Sequence, residues 1–93
     1  METPMRPHTQ IHLFGSLQKK MEDTFDLPIR FDHAGPMPLL DVLTRFNIPP
    51  GMVQLAMVNH KAVHKDTVIH PGDRVAVFPR EYIVFTDWKD FRF

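Results

Sequence analysis

The sequence predicts an α+β domain, in which a mixed sheet of four to five strands carries one main helix packed on one face. Two kinds of pattern predict this class. Apolar residues alternate over residues 10–18, 25–31 and 74–78 and form a run over residues 53–58, and several of them are β-branched, which is typical of strands. Between the second and third of these runs, residues 38–46 place apolar side chains at helical spacing. A helix of about nine residues is too short to be stable alone, so we expect it to pack across the sheet.

The first two strands are predicted at residues 10–18 and 25–31. Gly15 lies inside the first run, which indicates a bulge or a close approach of another backbone. Residues 19–24 are polar and are expected to form a loop or one helical turn. Pro28 has no N–H to donate to a neighbouring strand, so the second strand is expected at an edge of the sheet.

The helix is predicted to begin at Pro38, because a proline at the first helical position loses no intrahelical hydrogen bond. Its apolar face is expected to consist of Leu39, Leu40, Leu43 and Phe46. The helix should end near Phe46 or Asn47, since Pro49 and Pro50 follow.

Three further strands are expected in the second half of the chain. The apolar run 53–58 turns at Asn59-His60 and returns over residues 61–63. A second turn signal at Pro71-Gly72-Asp73 precedes the last strand, residues 74–78, because proline and glycine favour tight turns.

The order of these elements is that of the β-grasp fold, in which the first and last strands pair in parallel at the centre of the sheet. We expect residues 10–80 to form this domain, preceded by a flexible lead-in over residues 1–9. An aromatic tail follows over residues 81–93.

Composition excludes several classes of function. The 93 residues include no cysteine, so disulfides, thiol catalysis and thiolate metal sites are excluded. Eleven basic and eleven acidic side chains balance, which disfavours a dedicated nucleic-acid binder. No apolar run approaches the ~18 residues that a membrane span needs, and residues 1–10 do not resemble a signal peptide. We therefore expect a cytoplasmic protein that does not bind membranes.

Two short motifs carry a resemblance to a known family. Val58-Asn59, together with Gly72-Asp73-Arg74-Val75, resembles the second half of the MoaD/ThiS-like proteins. These are ubiquitin-like β-grasp proteins that carry sulfur on a C-terminal Gly-Gly, and the resemblance implies the same fold here. The last glycine of this chain is Gly72, and no Gly-Gly occurs anywhere in it.

The chain is therefore most similar to variants of that family that lack the glycine terminus, such as the ubiquitin-like domain that precedes PIN-type nuclease domains. That resemblance implies a protein-interaction module or subunit, with no enzymatic activity of its own and no cofactor. One alternative is a sulfur carrier for molybdopterin, tungstopterin or thiamine synthesis, whose partner would be an adenylating enzyme or a pterin-cofactor enzyme. A third is an RNA-binding module similar to the TGS domain.

The candidate binding residues lie on one face of the predicted sheet and in the tail. If Ile11, Leu13, Val75 and Val77 face the helix, period two places another apolar set on the opposite face. The candidates for contact with a protein partner are Phe14, Ala56, Val58, Phe78, Arg80, Tyr82, Phe85 and Trp88. The tail either packs on its own domain or docks on a partner or on a second copy of the chain.

No catalytic or metal-binding set is expected. His60, His64 and His70 lie close in sequence, but their spacing matches no zinc signature. Ser16 is the only serine and has no evident catalytic base. The local basic cluster of Lys61, Lys65, Arg74 and Arg80 is adequately explained as a solvated surface.

Overall fold

A computed structural model describes residues 8–81 of the chain. Two helices and seven strands occur in this part of the chain, together with a short 3-10 turn at Pro50–Met52. Their order and bounds are β1 (Thr9–Leu13), α1 (Gly15–Met21), β2 (Ile29–Phe31), β3 (Met37–Pro38), α2 (Leu39–Arg45), β4 (Val53–Val58), β5 (Lys61–Val63), β6 (Val68–Ile69) and β7 (Arg74–Pro79).

Five of the strands form one mixed sheet in the order β2-β1-β7-β4-β5. β1 and β7 are parallel, with Ile11 opposite Val75, and the other neighbours are antiparallel. β3 and β6 form a separate two-stranded sheet. The predictions of an α+β class, of a mixed sheet of up to five strands, of a parallel pairing between the first and last strands and of an edge position for the second strand are confirmed.

The prediction of a single main helix was wrong. The first strand ends at Leu13, and the residues assigned to its second half form α1 instead. Gly15 has φ 57° and begins this helix rather than marking a bulge. Leu17 and Met21 lie one turn apart on the buried side of α1, at 0% and 4% exposure. This spacing of four residues was the sequence signal for a helix.

The second strand is shorter than predicted. Only Ile29–Phe31 pairs with β1, while Phe25 and Leu27 pack against the core without joining the sheet. Pro28 immediately precedes the strand, where its missing N–H interrupts no pairing. Over residues 25–31, alternating apolar side chains are therefore buried both where the chain is a loop and where it is a strand.

The predicted central helix exists as α2, with shifted ends. Pro38 lies before the first helical residue and pairs with Val68, and the helix ends at Arg45. Its buried residues are Leu39, Val42 and Leu43. Leu40 and Phe46, which were predicted on the buried face, are half-buried and pack at its border.

The core lies between the helices and one face of the sheet. Ile11, Leu13, Val75 and Val77 are buried there, as the sequence predicted. They are joined by side chains from both helices and from β4, chiefly Leu17, Leu39, Val42, Leu43, Val53 and Ala56. Burial of this apolar surface is what keeps two seven-residue helices folded.

The two turns that carry the family resemblance are tied to each other. Asn59 and His60 have φ of 51° and 72°, which forms the tight β4–β5 turn. The Asn59 amide Nδ2 donates to Asp73 Oδ1 at 3.0 Å, and its Oδ1 accepts from the Arg74 N–H at 3.0 Å. Asp73 Oδ2 accepts from the His70 N–H at 2.9 Å, which closes the second turn. These motif residues therefore hold backbone turns in place.

Thr9 is a buried polar residue at the start of β1, at 1% exposure. Its Oγ1 accepts from the Gly72 N–H at 2.9 Å and lies 2.8 Å from His33 Nε2. His33 Nδ1 lies 2.7 Å from the Gly35 carbonyl, which can only accept, so Nδ1 carries the proton and Nε2 accepts from the Thr9 hydroxyl. One hydroxyl thus links β1 to two loops.

We expect Thr9→Val to lower the free energy of unfolding by about 1–3 kcal/mol, because it leaves the Gly72 N–H and His33 Nε2 without their partner. Thr9→Ser retains the hydroxyl and is the matched control. Urea unfolding of both variants measures the difference. A Thr9→Val variant with the same midpoint as wild type would show that the network adds nothing to stability.

Candidate functional site

The face of the sheet opposite the core is the candidate site, and we call it the open face. Strand register assigns side chains to it, because residues directly opposite each other in a sheet point to the same side. Its residues are Gln10, His12, Arg30, Leu55, Met57, Ala62, Arg74, Ala76 and Phe78, with Phe14 just beyond the end of β1.

A basic row crosses one end of the open face. Gln10 lies opposite Arg30 on one side and opposite Arg74 on the other. Two strand spacings separate the arginine backbones, which is about 10 Å. Both arginines are exposed. None of the ten open-face residues is acidic, so this end of the face presents positive charge.

His12 lies in the next row, beside Ala76 and Met57. Its Nε2–H donates to Gln10 Oε1 at 3.0 Å, which connects the middle of the face to the basic row. Burial lowers the pKa of His12 below its usual value, and the charges of Arg74 and Arg30 lower it further. The imidazole is therefore held neutral on a face that already carries two cations.

The opposite end of the open face is apolar. The rings of Phe14 and Phe78 stack with centroids 4.7 Å apart and planes 8° from parallel. Leu55 lies opposite Phe78 on the neighbouring strand and is buried. This end of the face therefore offers aromatic surface, beside the cationic end.

Two shallow depressions meet in the middle of the open face. The first has a volume of about 170 Å³ and is lined by His12, Phe14, Met57, His60, Arg74, Ala76 and Phe78. The second, of about 210 Å³, shares His12 and Phe14 and extends past Gln18 to Leu27 and Pro28. We call these two adjoining depressions the groove.

Two of the predicted binding residues do not lie on the open face. Ala56 and Val58 are opposite Val77 and Val75, so they point into the core, and Ala56 is fully buried. The cause is an irregularity between Val53 and Leu55, which shifts the register of β4 by one residue and reverses its inward and outward positions.

Leu55 and Met57 take the outward places that the prediction gave to Ala56 and Val58. The run 53–58 is apolar at every position except Gln54, so the sequence held no signal for this reversal. His12 and Arg30 could have been assigned from the sequence, because each alternates with buried neighbours on its own strand.

The other predicted residues are divided between the face and its surroundings. Phe14 and Phe78 lie on the open face as predicted. The Arg80 backbone N–H donates to the Met52 carbonyl at 3.2 Å, and its side-chain Nε donates to the Gly51 carbonyl at 2.6 Å. Arg80 thus has a structural role beside β4. Tyr82, Phe85 and Trp88 lie outside the described residues.

Glu81, the last described residue, is held by hydrogen bonds beside the apolar end of the open face. The Glu81 carboxylate accepts from the Ser16 backbone N–H at 2.9 Å and from the Ser16 hydroxyl. Ser16 lies in the first turn of α1, two positions after Phe14. This contact attaches the end of β7 to the start of α1, and it gives the only serine a structural partner.

Within residues 8–81, no group of three or more His, Asp or Glu side chains is arranged to hold a metal ion. His60, His64 and His70 therefore do not form a cluster of that kind. The two helices of this region are each seven residues long, and neither has the length or the apolar character to cross a membrane.

Comparison of the sequence with models of known protein families gives no match, and comparison with curated proteins gives none of significance.

The lowered pKa of His12 predicts a pH dependence of stability. Its pKa is lower in the folded chain than in the unfolded chain, so the unfolded chain takes up the proton first as the pH falls. This uptake favours unfolding. The resulting loss of stability is absent above the usual pKa of about 6.5 and complete below the pKa of His12 in the folded chain. Wild type should therefore lose stability relative to His12→Gln as the pH falls from about 7.5 to about 5.

Urea unfolding at several pH values in this range measures that difference. The other five histidines are present in both proteins, so their contributions cancel in the comparison. A constant difference between the two proteins across the range would contradict the inferred environment of His12.

Proposed function

We propose that the protein is a small, non-enzymatic, ubiquitin-like interaction module of MoaD/ThiS-like type, and that its open face binds a segment of a partner protein. The observation that supports this is the composition of the face. It combines two exposed arginines, stacked aromatic rings and a groove, and it carries no carboxylate among its ten residues. The partner segment should therefore contain carboxylates and large apolar side chains.

The β-grasp assignment is part of this proposal. It is supported by the parallel pairing of β1 with β7 at the centre of the sheet and by the edge position of β2. The helix α2, which lies between β2 and the second half of the sheet, packs on the face opposite the candidate site. The additional helix α1 is a variation on the predicted order.

A protein segment fits the open face better than a nucleic acid does. Phe14 and Phe78 stack on each other and are half-buried, which suits apolar contact more than base stacking. Two arginines would neutralise few phosphates, and the chain as a whole has no excess of positive charge. Tight binding of single-stranded RNA by the open face, with a steep salt dependence, would overturn the proposal.

The sulfur-carrier alternative can be separated from the module by the covalent state of the protein. Gly72, in the motif that carries the family resemblance, forms a turn with φ 91° before β7, so its role here is structural. We expect the intact mass of the protein from its native cell to show no replacement of oxygen by sulfur. Detection of a thiocarboxylate would favour the carrier function instead.

The partner chemistry can be tested by peptide selection with the 93-residue chain as bait. We expect the selected peptides to combine Asp or Glu with aromatic or aliphatic residues. For the consensus peptide, Arg74→Glu should weaken affinity tenfold or more, about 1.4 kcal/mol, because it places a like charge opposite the peptide carboxylates. The measurement is isothermal titration at two salt concentrations.

Lys61→Glu is the matched control, because Lys61 is exposed and lies opposite Val58, on the core side of the sheet. It makes the same change in net charge and should leave affinity almost unchanged. Equal weakening by both variants would show that net charge matters and the open face does not. Selection of basic peptides would contradict the proposed partner chemistry.

A further inference from the structure

The chain passes from β7 into residues 82–93 beside the apolar end of the open face. Glu81 is held at Ser16 by its carboxylate, and Arg80 is held at Gly51 and Met52. The stacked rings of Phe14 and Phe78 lie two or three positions from these anchors along the chain. Glu81 therefore lies at the border of the proposed binding face, and these contacts set the direction of the chain up to that residue.

The length that follows is sufficient to cover the face. The twelve residues 82–93 span about 40 Å if extended and about 18 Å if helical. The distance from the apolar end to the basic row is four residues of β1, about 13 Å, and five strands are about 19 Å across. Either conformation would reach from Phe14 to Arg74 and beyond.

The chemistry of residues 82–93 complements the open face. Tyr82, Phe85, Trp88 and Phe91 recur at every third position, and Asp87 and Asp90 are interleaved with them, as are the basic residues Lys89 and Arg92. This combination of aromatic rings and carboxylates is the partner chemistry that the face itself predicts. Left in water, a segment with this many aromatic residues would form an exposed apolar patch of the kind that proteins usually cover.

We infer that residues 82–93 are an intramolecular ligand of the open face, which they occupy in competition with the partner segment. Such a contact would bring aromatic side chains of this segment to the groove between Phe78 and Met57, and it would bring the carboxylates of Asp87 and Asp90 within reach of the basic row. The competition rests on the proposed function, but occupation of the face by the tail does not. A partner would then have to displace the tail. The apparent affinity of the partner would equal its intrinsic affinity multiplied by the fraction of molecules whose groove is open.

Trp88 is the only tryptophan in the chain, so its fluorescence reports on this segment in the full-length protein. We expect wild-type emission at a shorter wavelength than that of a solvated tryptophan, with weak quenching by acrylamide. Ala76→Glu places a charge in the floor of the groove and should shift the emission to longer wavelength and increase quenching severalfold. Arg74→Glu should also shift the emission to longer wavelength and increase quenching. Because Arg74 is exposed, this variant can be used if Ala76→Glu does not fold.

Val68→Glu is the matched control, because Val68 is an exposed apolar residue on β6, outside the five-stranded sheet. It should leave Trp88 emission unchanged. A solvated Trp88 in wild type, or a buried Trp88 that responds to neither open-face variant, overturns the inference. Burial of Trp88 that appears only with rising protein concentration and a dimeric mass also overturns it, since the ligand would then be the tail of a second copy.

The proposed function and the intramolecular contact of the tail can be contradicted independently of each other. In the Trp88→Ala variant the tail should be displaced more easily, so affinity for the selected peptide should rise severalfold over wild type. If no acidic peptide binds either protein while Trp88 still responds to Ala76→Glu, the interaction function fails and the intramolecular contact stands. If the peptide binds both proteins equally and Trp88 of the wild type is solvated, the interaction function stands and the intramolecular contact fails.

Discussion

The parallel pairing of β1 with β7 is the constraint on which the rest of the structure depends. It brings the two ends of the described chain together at the centre of the sheet and leaves the intervening elements to wrap around them. Because residues such as Ile11 and Val75 are buried by the helices on one side, their alternate neighbours must all point to the other side. The open face is therefore a direct consequence of this pairing.

The residues that carry the family resemblance do not lie at the centre of the proposed site. Asn59 and Asp73 form hydrogen bonds with each other and with the backbone of two turns. These bonds hold the β4–β5 turn against the start of β7. A short motif of this kind specifies how strands are connected. The proposed binding surface is built largely from side chains between the turns, where many combinations are compatible with the same fold.

The open face places unlike groups close together, and their proximity alters their properties. Arg30 and Arg74 are 44 positions apart in the sequence, and they come close in the sheet only because Gln10 lies between them. Their charges act on His12, whose pKa is already lowered by burial. A bound carboxylate would oppose the effect of the arginines, so the protonation of His12 and the binding of an acidic segment would favour each other.

The sequence by itself determined the class of the protein, the two tight turns, the approximate position of α2 and the residues of β1 and β7 that form the core. These features depend on local spacing and turn chemistry, which neighbouring residues specify. The tertiary structure decided the rest. The short run from Gly15 to Met21 became a helix because Leu17 and Met21 had a core to enter. The register shift in β4 decided that Leu55 and Met57, rather than Ala56 and Val58, face outward. Because this run is apolar on both sides, either side could be buried. Its pairing with β7 determines which residues face the core.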